Sequence, residues 1–174
     1  MTYGSVIYGI CTFLMPFPAP YGRYGAKWAG FGVPAKLAWL IQEIPSFVVP
    51  LILALYGSRN ESFRSLSNQL CVGMFMLHYF QRSLIYPVLM KSKEPTPFLP
   101  FVAAFLTCLY NGILHGFYFV SYQSYSDSDW LMKPYFWLGF LMFLYGMNVN
   151  IESDSILRNL RKGNSKEYKI PKGF

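Results

Sequence analysis

Long apolar runs separated by short polar segments set the frame of this chain. The clearest is Leu37–Tyr56, LAWLIQEIPSFVVPLILALY. Twenty residues as a helix cover about the ~30 Å of a bilayer's hydrocarbon core. Further helices are predicted at about Leu70–Met90, Phe98–Tyr122 and Tyr135–Ile151, and Tyr3–Phe17 is a short apolar run that reads as a first helix. Between them, Pro18–Lys36 is rich in Gly, Pro and aromatics and reads as an ordered loop. Gly57–Asn68 and Gln123–Pro134 are polar loops, Lys91–Pro97 is a short charged turn, and Glu152–Phe174 is polar and basic. The pattern predicts an all-α fold, a polytopic membrane helix bundle of about five transmembrane helices. It forms one domain over residues 1–174, with no internal repeat.

The polar residues inside these helices fall at helical spacing. Gln42 and Glu43 sit near the start of the second helix, followed by Pro45 and Pro50. A carboxylate there costs roughly 2.5–3.5 kcal/mol on insertion scales. It is either helix–helix glue close to the wet interface or a functional carboxyl in a protein-lined cavity. His78, Tyr79, Arg82 and Tyr86 share a sector of about 100° on the third helix. That face either looks into the bundle or belongs to a snorkelling arginine with interfacial neighbours. Thr107, Asn111, His115, Tyr118 and Tyr122 share about 80° of the fourth helix. Gly112 and Gly116 beside them form a G-x-x-x-G that permits close helix approach, within the chain or in a homo- or hetero-oligomer. Asn150, Asp154, Arg158 and Arg161 line another stripe of about 80°, carrying the fifth helix beyond its apolar part. The stripe is a solvated face that meets anionic lipid, or a pair of arginines set for a phosphorylated ligand.

Composition agrees with the pattern. Of 174 residues 53% are hydrophobic, 20% aromatic and only 13% charged, about half the charge of an average soluble domain. Cys11, Cys71 and Cys108 all lie in apolar runs and read as small buried hydrophobes, with no metal-ligand spacing around them. The first apolar run has no basic n-region, so no cleavable signal peptide is expected. Eleven of the fifteen Lys and Arg fall in 18–36, 91–97 and the tail, against three in the other two loops. The positive-inside rule then places the tail, 152–174, in the cytosol and the N-terminus on the luminal side. The sequon Asn60-Glu61-Ser62 falls on the luminal side as well. The basic residues rim a membrane, so lipid and not nucleic acid is the expected surface partner.

No dinucleotide fingerprint, P-loop or nucleophile elbow is present. Read by themselves, the residues suit an enzyme that acts on a lipid-soluble substrate with an anionic cosubstrate. They suit a transporter or a structural membrane subunit as well, although the paired half-repeats of a transporter are missing.

Three segments resemble the steroid 5-alpha-reductase family. Trp39-Leu40-Ile41-Gln42-Glu43-Ile44-Pro45-Ser46 is similar to its W-x-x-Q-E-L-P-S segment. His78-Tyr79-Phe80-Gln81-Arg82 with Leu84-Ile85-Tyr86-Pro87 is a second match. The third is Asn150-Ile151-Glu152-Ser153-Asp154, with Ile156 to Lys162 and Tyr168-Lys169-Ile170-Pro171 behind it. Order and spacing agree from about residue 21 onward, closer to the type 1 enzymes. The resemblance implies a seven-helix fold in the endoplasmic reticulum membrane and NADPH-dependent reduction of the Δ4 double bond of a 3-oxo steroid such as testosterone or progesterone. Carried over by position, Glu43 and Tyr79 hold the 3-oxo group, Gln42 aligns the site and Trp39 lines the steroid pocket. Arg82, Tyr86, Asn111, Asn150, Asp154, Arg158, Arg161 and Tyr168 contact or support the cofactor. The chemistry suits these types, because hydride addition to an enone builds negative charge on the carbonyl oxygen, where two donors stabilise it. A protonated carboxyl in an apolar site paired with a tyrosine supplies them, the logic of ketosteroid isomerase.

The sequence also departs from the family. Glu152 stands where the family usually has His, Lys91 and Lys93 where relatives often carry Arg, and Gly163 where Pro is usual. The chain stops at Gly173-Phe174, where the family continues through two more helices. A fragment of this kind is expected to have little reductase activity alone. The competing functions are a related polyprenol or enoyl reductase and a non-catalytic, truncated membrane isoform.

Overall fold

The structure is a computed structural model and describes residues 29–92 and 94–160. The short first helix expected at Tyr3–Phe17 lies outside the described residues, as do Arg161 and Tyr168.

Helix formation follows the apolar runs closely. A two-residue strand, β1 (Gly32–Val33), leads through Pro34 into α1 (Ala35–Tyr56). Gly57 closes α1 by returning its N–H to the Leu53 carbonyl. After the short helix α2 (Glu61–Arg64) comes α3 (Leu66–Phe80), which runs through a widened turn at Gln81–Ile85 into α4 (Tyr86–Leu89). Pro87 explains the widening. It has no N–H for the Ser83 carbonyl, and its ring would clash there. The chain instead bonds the Tyr86 N–H to the Gln81 carbonyl, five residues back. Strand β2 (Thr96–Pro97) precedes α5 (Phe98–Phe117), which also ends in a wide turn, Tyr118–Tyr122. A single turn, α6 (Asp127–Trp130), leads to α7 (Pro134–Asn159).

The tightest seam joins α1 to α5. The added methyl of an alanine at Gly112 would sit 2.7 Å from the Pro45 carbonyl oxygen, and one at Gly116 would sit 3.2 Å from Pro50 Cα. The two prolines of α1 therefore lie against the two glycines of α5. Between them the fully buried Ser46 donates to the Cys108 carbonyl at 2.7 Å. The glycine pair thus makes its close helix approach inside the chain, one of the two uses that the motif allowed.

The expected loops also hold more structure than their composition suggested. Gly32 and Val33 pair antiparallel with Pro97 and Thr96, so the ordered loop and the charged turn form one small ladder. Phe31 stacks on Phe98 across it, with ring centres 4.7 Å apart. At the other end of the bundle, Asp127 reaches back to start α3. One carboxylate oxygen accepts from the Ser67 N–H (2.8 Å) and from the Ser65 and Ser67 hydroxyls, the other from the Leu66 N–H (3.0 Å). These bonds, led by the Ser67 N–H, hold the Asp127 carboxyl down at about 2. Asn68, fully buried, donates to the Phe119 and Gln123 carbonyls and accepts from the Tyr125 N–H. Asn60 of the sequon donates to Ser121 Oγ at 3.2 Å.

The segments Ala35–Tyr56 and Phe98–Tyr122 are long and apolar enough to cross a membrane, and most of their residues keep some surface outside the fold. A core helix of a soluble domain would bury that surface. The helix α7 runs eight residues past its apolar part at Ile151, as the polar stripe predicts, so Asp154 and Arg158 stand on unbroken helix. Its middle is lightly packed, with Leu138, Leu141, Met142 and Tyr145 exposed.

Candidate functional site

Two clusters of the polar residues flagged in the sequence form where α1, α3, α5 and α7 converge. The first joins α1, α3 and α5. Asn111 Nδ2 donates to the Tyr79 hydroxyl oxygen at 2.7 Å. Ser46 is within hydrogen-bonding reach of the Tyr79 hydroxyl, and Glu43 lies close enough to act on it electrostatically. The Cys108 thiol, 3.6 Å from Glu43 Oε2, is a weak donor to that carboxyl. Cys108 is buried as expected of a small hydrophobe, but it faces a carboxyl. Gln42 is buried beside Glu43, at 7% exposure.

Helix periodicity builds this cluster. Glu43 and Ser46 are three apart on α1, while Cys108 and Asn111 are three apart on α5, so each pair shares a face. The glycine–proline seam brings those two faces together. The helices α3 and α5 run antiparallel in register: Tyr79 meets Asn111, Phe75 stacks on His115 at 4.6 Å, and Asn68 meets Phe119.

The second cluster centres on Arg82. Its guanidinium lies 4.7 Å from the Trp39 ring centre and 4.9 Å from that of Tyr86. Nη1 is 3.0 Å from Asp154 Oδ2, the one ion pair among the described residues. The rings shield the cation, and the carboxylate neutralises it. Trp39 therefore packs against the arginine. Further along, Lys91 donates to Asn159 Oδ1 at 2.8 Å, a second tie from α7. Asn150 is exposed one turn before Asp154, and Arg158 is half-buried one turn after it with no ion pair among the described residues.

Between α3, α5 and α7 lies a cavity of about 460 Å³. Phe75, His78 and Tyr79 of α3, Asn111 and His115 of α5 and Phe143 of α7 line it. Such a volume suits one rigid lipophilic molecule. The structure brings Glu43, Tyr79 and Asn111 together and brings Trp39, Arg82, Tyr86 and Asp154 together. It leaves Asn150 and Arg158 at the rim. Ser46 and Cys108 were not singled out by the sequence, although Ser46 stands at i+3 from Glu43.

The family model for 3-oxo-5-alpha-steroid 4-dehydrogenase matches residues 94–174. The chain is 44% identical over 156 residues to 3-oxo-5-alpha-steroid 4-dehydrogenase 1 of Bos taurus, covering 89% of this chain and 60% of that protein. It is 43% identical to the type 1 protein of Homo sapiens over 88% of this chain and 58% of that one. Against the human type 2 protein it is 36% identical, over 90% and 61%. The chain thus spans about 60% of the length of the curated relatives it matches.

Proposed function

Given that the chain belongs to the 3-oxo-5-alpha-steroid 4-dehydrogenase family, we propose that it carries the carbonyl-binding site and part of the cofactor rim of an NADPH-dependent reductase of 3-oxo-Δ4 steroids, in the endoplasmic reticulum membrane with its tail in the cytosol. The observation that carries this reading is the Tyr79–Asn111 bond beside Glu43, on the wall of an apolar cavity.

The direction of that bond matters. The Asn111 amide can only donate through Nδ2, so the Tyr79 oxygen is the acceptor and the phenol proton is left for Ser46 Oγ or for a ligand. A ligand carbonyl in the cavity is such an acceptor. Donation into the phenol oxygen also polarises the O–H and strengthens it as a donor. As negative charge grows on the carbonyl oxygen, Tyr79 stabilises it as a donor, with Glu43 set beside it. The walls are mainly apolar, so a bound ligand displaces water from these groups and each bond counts for more than it would in solvent.

Bound NADPH supplies the hydride for such a reduction. The residues around Arg82 fit a dinucleotide in divided roles. Arg82 is already neutralised by Asp154 and covered by Trp39 and Tyr86, so it organises the rim. Arg158, without an ion pair among the described residues, is the cation that would meet phosphate, with Asn150 on the same face. Arg161 and Tyr168, outside the described residues, belong to the same proposed rim.

The test uses membranes from cells that lack endogenous reductase and express this chain. They are given testosterone and NADPH deuterated at the transferable position. The expected result is saturable binding of both ligands, with little 5α-reduced steroid, deuterated at C5, formed by this chain by itself. A chain that binds neither the steroid nor NADPH and yields no labelled product is not this enzyme.

A further inference from the structure

Polar groups from α1, α3 and α5 form a chain of donors whose direction is fixed at both ends. At one end Asn111 Nδ2 donates to the Tyr79 hydroxyl oxygen at 2.7 Å. At the other the Ser46 hydroxyl donates to the Cys108 carbonyl oxygen at 2.7 Å. An amide nitrogen only donates and a carbonyl only accepts, so neither bond can run the other way. Ser46 has therefore committed its single proton. Toward Tyr79, which lies within hydrogen-bonding reach, its oxygen can only accept. Tyr79 already accepts from Asn111, so the bond between the two hydroxyls runs from the phenol to Ser46.

The surroundings favour Ser46 as that acceptor. It is fully buried, so bulk water does not compete for its oxygen. The seam fixes its place, since a methyl added at Gly112 would sit 3.1 Å from Ser46 Cα. The Glu43 carboxyl takes a weak bond from Cys108 Sγ at 3.6 Å and acts on the phenol by charge. His115 turns Nδ1 to the Asn111 carbonyl at 3.0 Å. His78 meets the Tyr79 ring edge to face at 5.1 Å, with Arg82 and Asp154 as its charged neighbours. Its contact is with the ring, and among the described residues it makes no hydrogen bond to the hydroxyl. We propose that Ser46 is a positioning residue that holds the Tyr79 proton in the empty site and gives it up to the ligand carbonyl. This rests on the reading that a carbonyl docks at Tyr79. It adds that the carbonyl takes over an existing bond, so the bond it gains is largely offset by the one it replaces.

The probes are testosterone and 3-deoxytestosterone, which lacks only the 3-oxo oxygen. Affinities are measured by equilibrium dialysis of the full chain in lipid nanodiscs, against empty nanodiscs. The wild type is expected to bind the two within about threefold of each other, because one bond replaces another. Ser46→Ala should bind testosterone about three- to tenfold more tightly than the wild type, the worth of one neutral hydrogen bond, with 3-deoxytestosterone unchanged. Ser46→Cys, a weak acceptor of similar size, should shift testosterone in the same direction. With Tyr79→Phe in place, Ser46→Ala should change neither probe. A larger wild-type preference for testosterone overturns the proposal without any variant, so a misfolded Ser46→Ala protein does not shelter it. Equal tightening of both probes by Ser46→Ala marks a change of cavity shape and overturns it as well. If Tyr79→Phe weakens testosterone while Ser46→Ala leaves it unchanged, the carbonyl reading stands and the proposal falls. If Tyr79→Phe leaves testosterone binding unchanged even in the Ser46→Ala chain, the carbonyl reading fails and the proposal falls with it.

Discussion

Asp154 of α7 holds Arg82 of the α3–α4 turn at 3.0 Å, with Trp39 of α1 and Tyr86 of α4 close to the same guanidinium. One ion pair thus ties α7 to the packed ends of α1, α3 and α4. It matters most for α7, whose middle is largely exposed.

Asp154→Asn should therefore loosen the far half of α7. The variant leaves Arg82 half-buried without its counter-charge. The cost is about 1–3 kcal/mol, below that of a fully buried pair because both side chains keep some exposure. The expected result is a lower melting temperature and faster proteolysis within residues 150–160. An Arg82→Met, Asp154→Leu double variant, with no charge left unpaired, should recover much of the loss. Unchanged proteolysis in Asp154→Asn would mean that α7 is held elsewhere.

The glycine seam gives a sharper test of packing. Gly112→Ala places a methyl group 2.7 Å from the Pro45 carbonyl oxygen, and backbone on both sides cannot move aside cheaply. The expected cost is about 1–3 kcal/mol, typical of overpacking. Gly139→Ala is the control, since an added Cβ there meets nothing within 4 Å. It should be neutral or slightly stabilising, because alanine favours helix. Equal melting temperatures for the two variants would contradict the seam.

How much of this was legible in the sequence differs by residue. The bounds of α1 and α5 were, because long apolar runs end at Tyr56 and Tyr122 with turn residues beyond. The stripe carrying Asp154 and Arg158 was legible too, since spacing alone put it on a continuing helix. The Asp127 cap was not, because its partners Ser65 to Ser67 lie some sixty residues away and nothing local marks the pairing. Trp39 was placed at the steroid pocket only through the family resemblance, and its contact with Arg82 was not legible, because periodicity says which face a residue occupies and nothing about which neighbour meets it. The seam was half legible. G-x-x-x-G announces close approach, but only the fold shows that Pro45 and Pro50 fill it.

The Asp127 cap predicts an acid dependence confined to one end of α3. The folded carboxyl sits at about 2, below the ordinary 3.8. A depressed carboxyl stabilises the fold above its unfolded pKa and loses that contribution as pH falls toward the folded one. Protection of the Leu66 and Ser67 amides from hydrogen exchange should hold from neutral pH down to about 4 and fall between about 4 and 2. In Asp127→Asn it should be low throughout. Protection that fades already near pH 6 would point to another group.

The carbonyl site makes the most demanding prediction, because it assigns Asn111 a role that acts only through Tyr79. In membranes that reduce an enone steroid, Tyr79→Phe keeps the ring and removes the donor. Loss of one such donor lowers turnover on the order of 10²–10³. Asn111→Ala removes the bond that leaves the phenol proton free for the ligand, so turnover should fall less steeply, with cofactor affinity changed little. The double variant separates this from a structural role. If Asn111 works through the Tyr79 oxygen, then once that oxygen is gone Asn111→Ala has nothing further to remove. Turnover in the double variant should then match Tyr79→Phe alone. Multiplying losses would mean that Asn111 acts on the cofactor or the fold by a separate route, and the 2.7 Å bond would be an incidental neighbour of the chemistry.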